Sequence, residues 1–222
     1  MQTRKRVSLA AAVSVCALTA APSIAAPCTP PSEVREARPL AIRAYVKGTG
    51  KQVLTLAGYS GAEYEDAAAM RAAAAKALAG KDPEKWIVNI GATAAGIGAA
   101  YPVAKALGFT TMGIVSSLAR DEGVPLSDCV DIVFYVPDST WGGLSPAGHL
   151  SPTSVAMVET GTEFLVIGGG EVTRDEMTAA RRAGKPVKFV AADMNHEVAR
   201  KRAARKGLPE PADFRGAAHS TL

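Results

Sequence analysis

Val53-Leu54-Thr55-Leu56-Ala57-Gly58-Tyr59-Ser60-Gly61 is the stretch that decides the fold. A mostly apolar, strand-forming run enters a glycine turn, and residues 66–79 follow as an alanine-rich helix closed by Gly80. The unit then recurs. Strands are predicted at 86–90, 111–115, 131–136, 164–167 and 187–190, and helices at 98–107, 153–159 and 173–183. Residues 40–46 read as either a short strand or a short helix. Continuous apolar runs mark strands buried on both faces, and their alternation with helices predicts a mostly parallel sheet. Right-handed crossovers make this a doubly wound, Rossmann-like α/β sandwich in a single domain.

The wider composition fits one such domain. Of 222 residues, 48% are hydrophobic, too many for a disordered chain. The formal charge of +4 invites a nucleic-acid reading, but its distribution argues against one. Arg4, Lys5 and Arg6 precede an uncharged run over 7–21, then Pro22 and Ser23-Ile24-Ala25, the order of a secretory signal. Cleavage is expected after Ala25, with Ala26 as the alternative. The mature chain is then at +1, with +3 in the tail from Glu197 and −2 in the body. Residues 1–25 are read as a signal peptide, 26–50 as linker and N-terminal extension, 51–196 as the Rossmann-like domain and 197–222 as a basic helix and tail. The expected place is the periplasm or the outside of the cell, with no nucleic-acid partner and no membrane contact after cleavage. Cys16 leaves with the signal. Cys28 and Cys129 are left to pair in an oxidising compartment or to stay apart, Cys28 lying in a Pro-rich stretch. No CxxC or histidine-rich spacing suggests a metal, and no cofactor is expected.

Glycine gathers at three strand ends: Gly58-Tyr59-Ser60-Gly61, then Gly91-Ala92-Thr93-Ala94-Ala95-Gly96-Ile97-Gly98, and finally Gly168-Gly169-Gly170-Glu171-Val172-Thr173. Strand–glycine–helix turns let backbone amides approach an anion, and Ser60, Thr93 and Thr173 add hydroxyls. Glycine also serves plain turns. Three such loops on one sheet edge favour a phosphate- or ribose-bearing ligand. Neither a dinucleotide fingerprint nor a P-loop is present.

These residues resemble the SLOG superfamily and its LOG (lonely-guy) branch, long labelled lysine decarboxylases. Ala57-Gly58-Tyr59-Ser60-Gly61 resembles that family's C-G-S-S-x-G turn, with Tyr64 following it. Gly91 to Ala99 resembles G-G-G-x-x-G-L-M-G, and Gly168 to Glu176 resembles P-G-G-x-G-T-x-x-E. Gly168 and Val172 depart from that last motif. The Lys185-Pro186-Val187 lead into the last strand adds to the likeness, and Met157 matches a family methionine. The resemblance implies a nucleoside monophosphate bound by Gly58, Ser60, Gly91, Thr93, Gly96, Gly169, Gly170 and Thr173. It also implies that Glu176 assists cleavage of an N-glycosidic bond. A carboxylate beside an anomeric carbon can stabilise an oxocarbenium-like centre and orient water. An arginine–lysine pair of the family is here Thr153 and Ser154, which weakens the catalytic reading more than the binding one.

Two other classes stay open. Gly58-Tyr59-Ser60-Gly61-Ala62 approximates a nucleophile elbow, with His196 as the base of a serine-type hydrolase and Asp138 or Asp193 as its acid. A non-catalytic envelope binding protein is the other. The insertion 137–152 is long enough for a rim or lid, where Trp141 either plugs the sheet edge or stacks on a ligand. Glu176 is equally readable as an ordinary acid near a helix start, and self-association as a homodimer is left open.

Overall fold

A computed structural model describes residues 28–221; the signal segment read over 1–25 lies outside them. The elements run β1 (Glu33–Glu36), α1 (Pro39–Thr49), β2 (Gln52–Gly58), α2 (Ala67–Leu78), β3 (Trp86–Ile90), α3 (Tyr101–Ala106), β4 (Thr110–Ser116) and α4 (Leu118–Asp121). Then come β5 (Ile132–Val136), α5 (Pro152–Thr160), β6 (Glu163–Ile167), α6 (Glu171–Arg182), β7 (Val187–Val190) and α7 (His196–Arg205). Single 3-10 turns lie at Gly96–Ala100 and Ala217–Thr221. The strands form one sheet ordered β1-β5-β4-β3-β2-β6-β7, parallel at every pairing. The Rossmann-like α/β fold read from the sequence is the fold observed.

Side chains on a strand alternate between faces, so a strand with no polar stripe must be covered twice. On β5, Val133 and Tyr135 enter the core under α2 and α3, while Phe134 and Val136 enter the core under α1 and α5. The same alternation on β2 sends Leu54 and Leu56 to the first core and Val53 to the second. Helix α2 reaches the sheet with Met70, Ala74 and Leu78, four residues apart and on one face. Its first turn is capped by the Asp66 carboxylate, which accepts from the Ala69 amide at 2.8 Å.

The connection order positions the site. From β2 the chain steps outward through β3, β4 and β5, then returns to place β6 on the other flank of β2. Helices α2 and α6 consequently pack in different cores, on opposite faces. The turns leaving β2 and β6 therefore head to opposite faces of the sheet. That makes the carboxyl ends of these strands the switch point where open parallel sheets characteristically hold ligands, and the crevice side of this sheet.

The chain ends depart from the sequence reading. Glu33–Glu36, inside the stretch read as linker, pairs with β5, so the sheet begins before residue 51. Three of its four residues are charged and it is an edge strand, so its sequence carries little apolar signal. Residues 40–46 fall in helix α1, with Pro39 at its start and the left-handed Gly50 at its end. Cys28 and Cys129 form a disulfide with their Cα atoms 4.5 Å apart, tying the entry of the chain to the loop before β5. The tail after α7 folds back: Ala218 is fully buried against α6 and the third core cluster, and Arg181 donates to the Thr221 carbonyl.

Candidate functional site

The three glycine loops meet. The Ile97 amide donates to the Tyr59 carbonyl at 2.7 Å, and Thr173 Oγ1 donates to the Gly58 carbonyl at 3.0 Å. The loop after β3 is thus bonded to the loop after β2, and the first turn of α6 to the end of β2. Tyr64 Oη accepts from the Tyr59 amide and donates to the Ile167 carbonyl at 2.7 Å, bridging the ends of β2 and β6. Burial pushes the Tyr64 phenol well above its ordinary range, so it remains a neutral donor. Tyr101, wholly buried on α3, does the same for the loop after β3. Its Oη accepts from the Ala92 amide at 3.1 Å and donates to the Met112 carbonyl at 2.9 Å. Ala92 itself takes a left-handed φ of 63°, which these bonds hold in place.

The sequence-derived site residues separate into two sets. Thr173 is buried and its hydroxyl is spent on Gly58, so it braces the turn. Gly96 and Gly169 are required by the backbone, at φ of 59° and 124°. Gly58 is held by the close approach of Tyr64. Gly91 and Gly170 are different. Neither has a left-handed φ, and a Cβ built on either meets nothing within 4 Å. Both are partly accessible on the crevice side of the sheet, as is Thr93, while Ser60 is exposed. Gly170 is the N-cap of α6 and supplies no side-chain cap, so the first amides of this helix keep their donors for another acceptor.

Glu176 occupies the second turn of α6, not the first, and is 5% exposed. Its Oε1 accepts from Ser154 Oγ at 2.7 Å, and Ser154 Oγ accepts from the Gly143 amide at 2.8 Å. The bonded partner of this carboxylate is thus a neutral hydroxyl, and no cation pairs with it among the described residues. Burial pushes the Glu176 carboxyl up to about 7, Ser154 partly offsets that shift, and Asp175 adds to it. The insertion 137–152 covers this pair. A Cβ on Gly142 would stand 3.1 Å from Ser154 Oγ and 3.8 Å from Glu176 Oε1.

The same insertion is pinned by two acids. Asp138 accepts from the Thr140 amide and hydroxyl and from the Thr153 amide at 2.9 Å, while Asp175 Oδ2 accepts from the Leu144 amide at 3.0 Å. Burial raises the Asp138 carboxyl, but the bonds from Thr153 and Thr140 outweigh it and hold it below the ordinary range. Trp141 projects from the loop at 45% exposure and does not plug the sheet edge. Two concavities of about 410 and 710 Å³ flank the loop, and neither is lined by Gly91 or Gly170.

Replacing Glu176 by glutamine tests the shifted carboxyl. Between its ordinary value of 4.5 and about 7, folded Glu176 keeps a proton that the unfolded chain has released. This group therefore makes stability fall as pH rises through that window. The variant should lose the slope and be about 2 kcal/mol more stable than the parent at pH 8, once the altered Ser154 bond is subtracted. Urea unfolding at pH 5 and pH 8 measures it; an equal pH slope in both proteins would contradict the shift.

Two groups behave unlike the sequence reading. His196 does not engage Ser60 among the described residues. Its ring nitrogens lie 3.4 Å from Asp193 and 3.8 Å from Glu65, and it stacks on Phe214 at 4.0 Å between centroids. The His196–Asp193 half of the expected triad is present, but no Ser60–His196 bond completes it among the described residues. The tail, in turn, reaches the crevice wall. Tyr59 Oη donates to the Arg215 carbonyl at 2.6 Å, and the Ala218 amide donates to the Gly169 carbonyl at 3.0 Å. Only the resemblance pointed to Tyr64. Nothing local in the sequence marks Tyr59, Tyr101 or residues 214–218, because their partners lie across the fold.

No family model matches the chain, and no curated protein matches it. Among solved structures it is similar to the molybdenum cofactor carrier protein of Chlamydomonas reinhardtii. One structure has 23% identity over 63% of this chain and 76% of that one, with a TM-score of 0.45. Another has 22% identity over 77% and 95%, also with a TM-score of 0.45.

Proposed function

We propose that this protein binds a small nucleotide-derived ligand, one bearing ribose, phosphate or both, at the carboxyl-edge crevice between β2, β3 and β6. The carrying observation is that Gly91 and Gly170 have room and ordinary backbone angles, so the fold does not demand glycine at either. A ligand lying against the backbone does demand it. The SLOG resemblance of the three loops supports the same reading, with this chain as a divergent member of that superfamily.

The test is calorimetric titration with ribonucleosides and their 5′-monophosphates. At least one is expected to bind the parent, and Gly170→Asp should lose that binding while unfolding at the same temperature. Absence of binding by the whole panel would reject the proposal. In its catalytic form, Glu176 assists N-glycosidic cleavage once the insertion 137–152 opens. Release of free base, abolished in Glu176→Gln, is required of that form. Export is part of the proposal: the charged and apolar order of residues 1–25 supports it, as does a disulfide suited to an oxidising compartment.

A further inference from the structure

We infer that the groove between the 144–150 turn and helix α6 is a separate binding site, for a small carboxylic acid with an apolar body. This is the concavity of about 710 Å³, walled by Leu144, His149 and Leu150 on one side and by α6 on the other. Its volume falls in the range of small-molecule sites.

The loop wall is shaped by its own bonds. Leu144 and Leu150 form an antiparallel bridge, the Ser145 amide donates to the His149 carbonyl, and the Gly148 amide donates to the Ser145 carbonyl, both at 2.8 Å. The turn is tied down at its base, where the Ser151 amide donates to the Gly143 carbonyl at 2.8 Å and the Leu144 amide to Asp175 Oδ2 at 3.0 Å. A turn closed in this way and bonded to the helix gives the groove a preformed wall.

The helix wall carries the charge. Residues four apart share a helix face, so Arg174, Thr178 and Arg182 run in a row along the groove. Arg174 spends Nε and Nη2 on Asp175 Oδ1, at 3.0 and 2.9 Å, while the other oxygen of Asp175 takes the Leu144 amide. That pair is neutralised within the wall. Arg182 is exposed and makes no ion pair among the described residues. The lining thus offers one uncommitted guanidinium and no uncommitted carboxylate. Beside it lies apolar surface: Leu144 is 50% exposed, and Leu150, Ala179 and Ala183 continue the lining.

A lone guanidinium next to apolar surface suits a monoanionic amphiphile. The carboxylate takes the guanidinium as a two-bond fork, and the chain removes Leu144 from water. The dipole at this end of α6 opposes an anion, but solvent screens it and the forked pair outweighs it. A phosphate dianion would find one free cation, and ribose would find no open acid. The lining also holds no Phe, Tyr or Trp, among the described residues, on which a base could stack. A medium-chain fatty acid meets each of these conditions.

The test titrates decanoate, 1-decanol and acetate calorimetrically at pH 8, below the micelle concentration, into the chain with its disulfide formed. Decanoate should bind at least tenfold tighter than decanol, and acetate should give no heat. Arg182→Gln and Leu144→Gln should each weaken decanoate at least fivefold. Both should unfold in urea like the parent, since Arg182 has no ion pair to lose and Leu144 meets Asp175 through its amide. Decanol binding as tightly as decanoate overturns the assignment of a carboxylate ligand. Absence of decanoate binding, or parental affinity in either variant, overturns the site.

Discussion

Replacing Cys28 and Cys129 together by serine is expected to lower the unfolding free energy by about 4 kcal/mol. The bond closes a loop with a sequence separation of 101, so it removes a large set of open conformations from the unfolded chain. It also fixes the least self-sufficient strand of the sheet. β1 has four residues, one neighbour and an exposed face, and its place beside β5 rests on main-chain bonds, on the exposed contacts of Glu36 with Arg120 and of Arg35 with Tyr45, and on the tether that begins at Cys28. Adjacent bonds reinforce the tether: the Ser32 and Glu33 amides both donate to the Asp131 carbonyl. Without the disulfide, fraying should begin at β1, so amide exchange over residues 32–36 accelerates before the rest of the sheet is affected. For a domain of this size the melting temperature should fall by roughly 10 °C. Reducing the wild-type protein should reproduce the loss. If oxidised and reduced protein melt together, the bond contributes nothing, and the support it lends to export disappears with it.

The legibility of this chain follows the range of its contacts. β2, β3, β5 and β6 announce themselves because burial on both faces leaves no polar stripe, and residues 53–57 or 132–136 say so within five positions. β1 does not, because an edge strand needs no such run. The crevice was half visible in the same way. Glycine at a strand end is a local signal, so Gly58, Gly91, Gly96, Gly169 and Gly170 could be placed at one edge before any contact was known. What each glycine does depends on residues far along the chain. Gly169 carries the Ala218 amide on its carbonyl, 49 positions ahead, and Gly58 is approached by Tyr64 and the Ile167 carbonyl. Glu176 shows the limit more clearly. Its position in a motif suggested a role, but its burial, its serine partner and its cover by Gly142 come from three segments that only the folded sheet brings together.

That division between local signal and distant cause makes Gly96 the sharpest test of the site. Its φ of 59° lies in the left-handed region, where a side chain costs about 1 kcal/mol in the backbone alone. A Cβ there would also run into the carbonyl oxygens of Tyr59 and Ser60, well inside van der Waals contact, and backbone cannot step aside as a flexible side chain can. Relief requires the loop after β3 to move away from the loop after β2, which breaks the bond from the Ile97 amide to the Tyr59 carbonyl. Adding the strain, the overlap and the lost bond, Gly96→Ala is expected to cost about 3 kcal/mol. Gly170→Ala, whose Cβ meets nothing within 4 Å, should cost no more than about 1 kcal/mol, the loss of glycine at a helix N-cap. The ligand affinities should not follow the stabilities. Gly96→Ala is expected to lose binding because the loops no longer converge, and Gly170→Ala to lose it although the fold is untouched. Urea unfolding and calorimetric titration of the two variants separate these effects. Binding that survives Gly170→Ala at parental strength would show that this glycine faces open solvent for no functional reason, and the crevice would lose its main support.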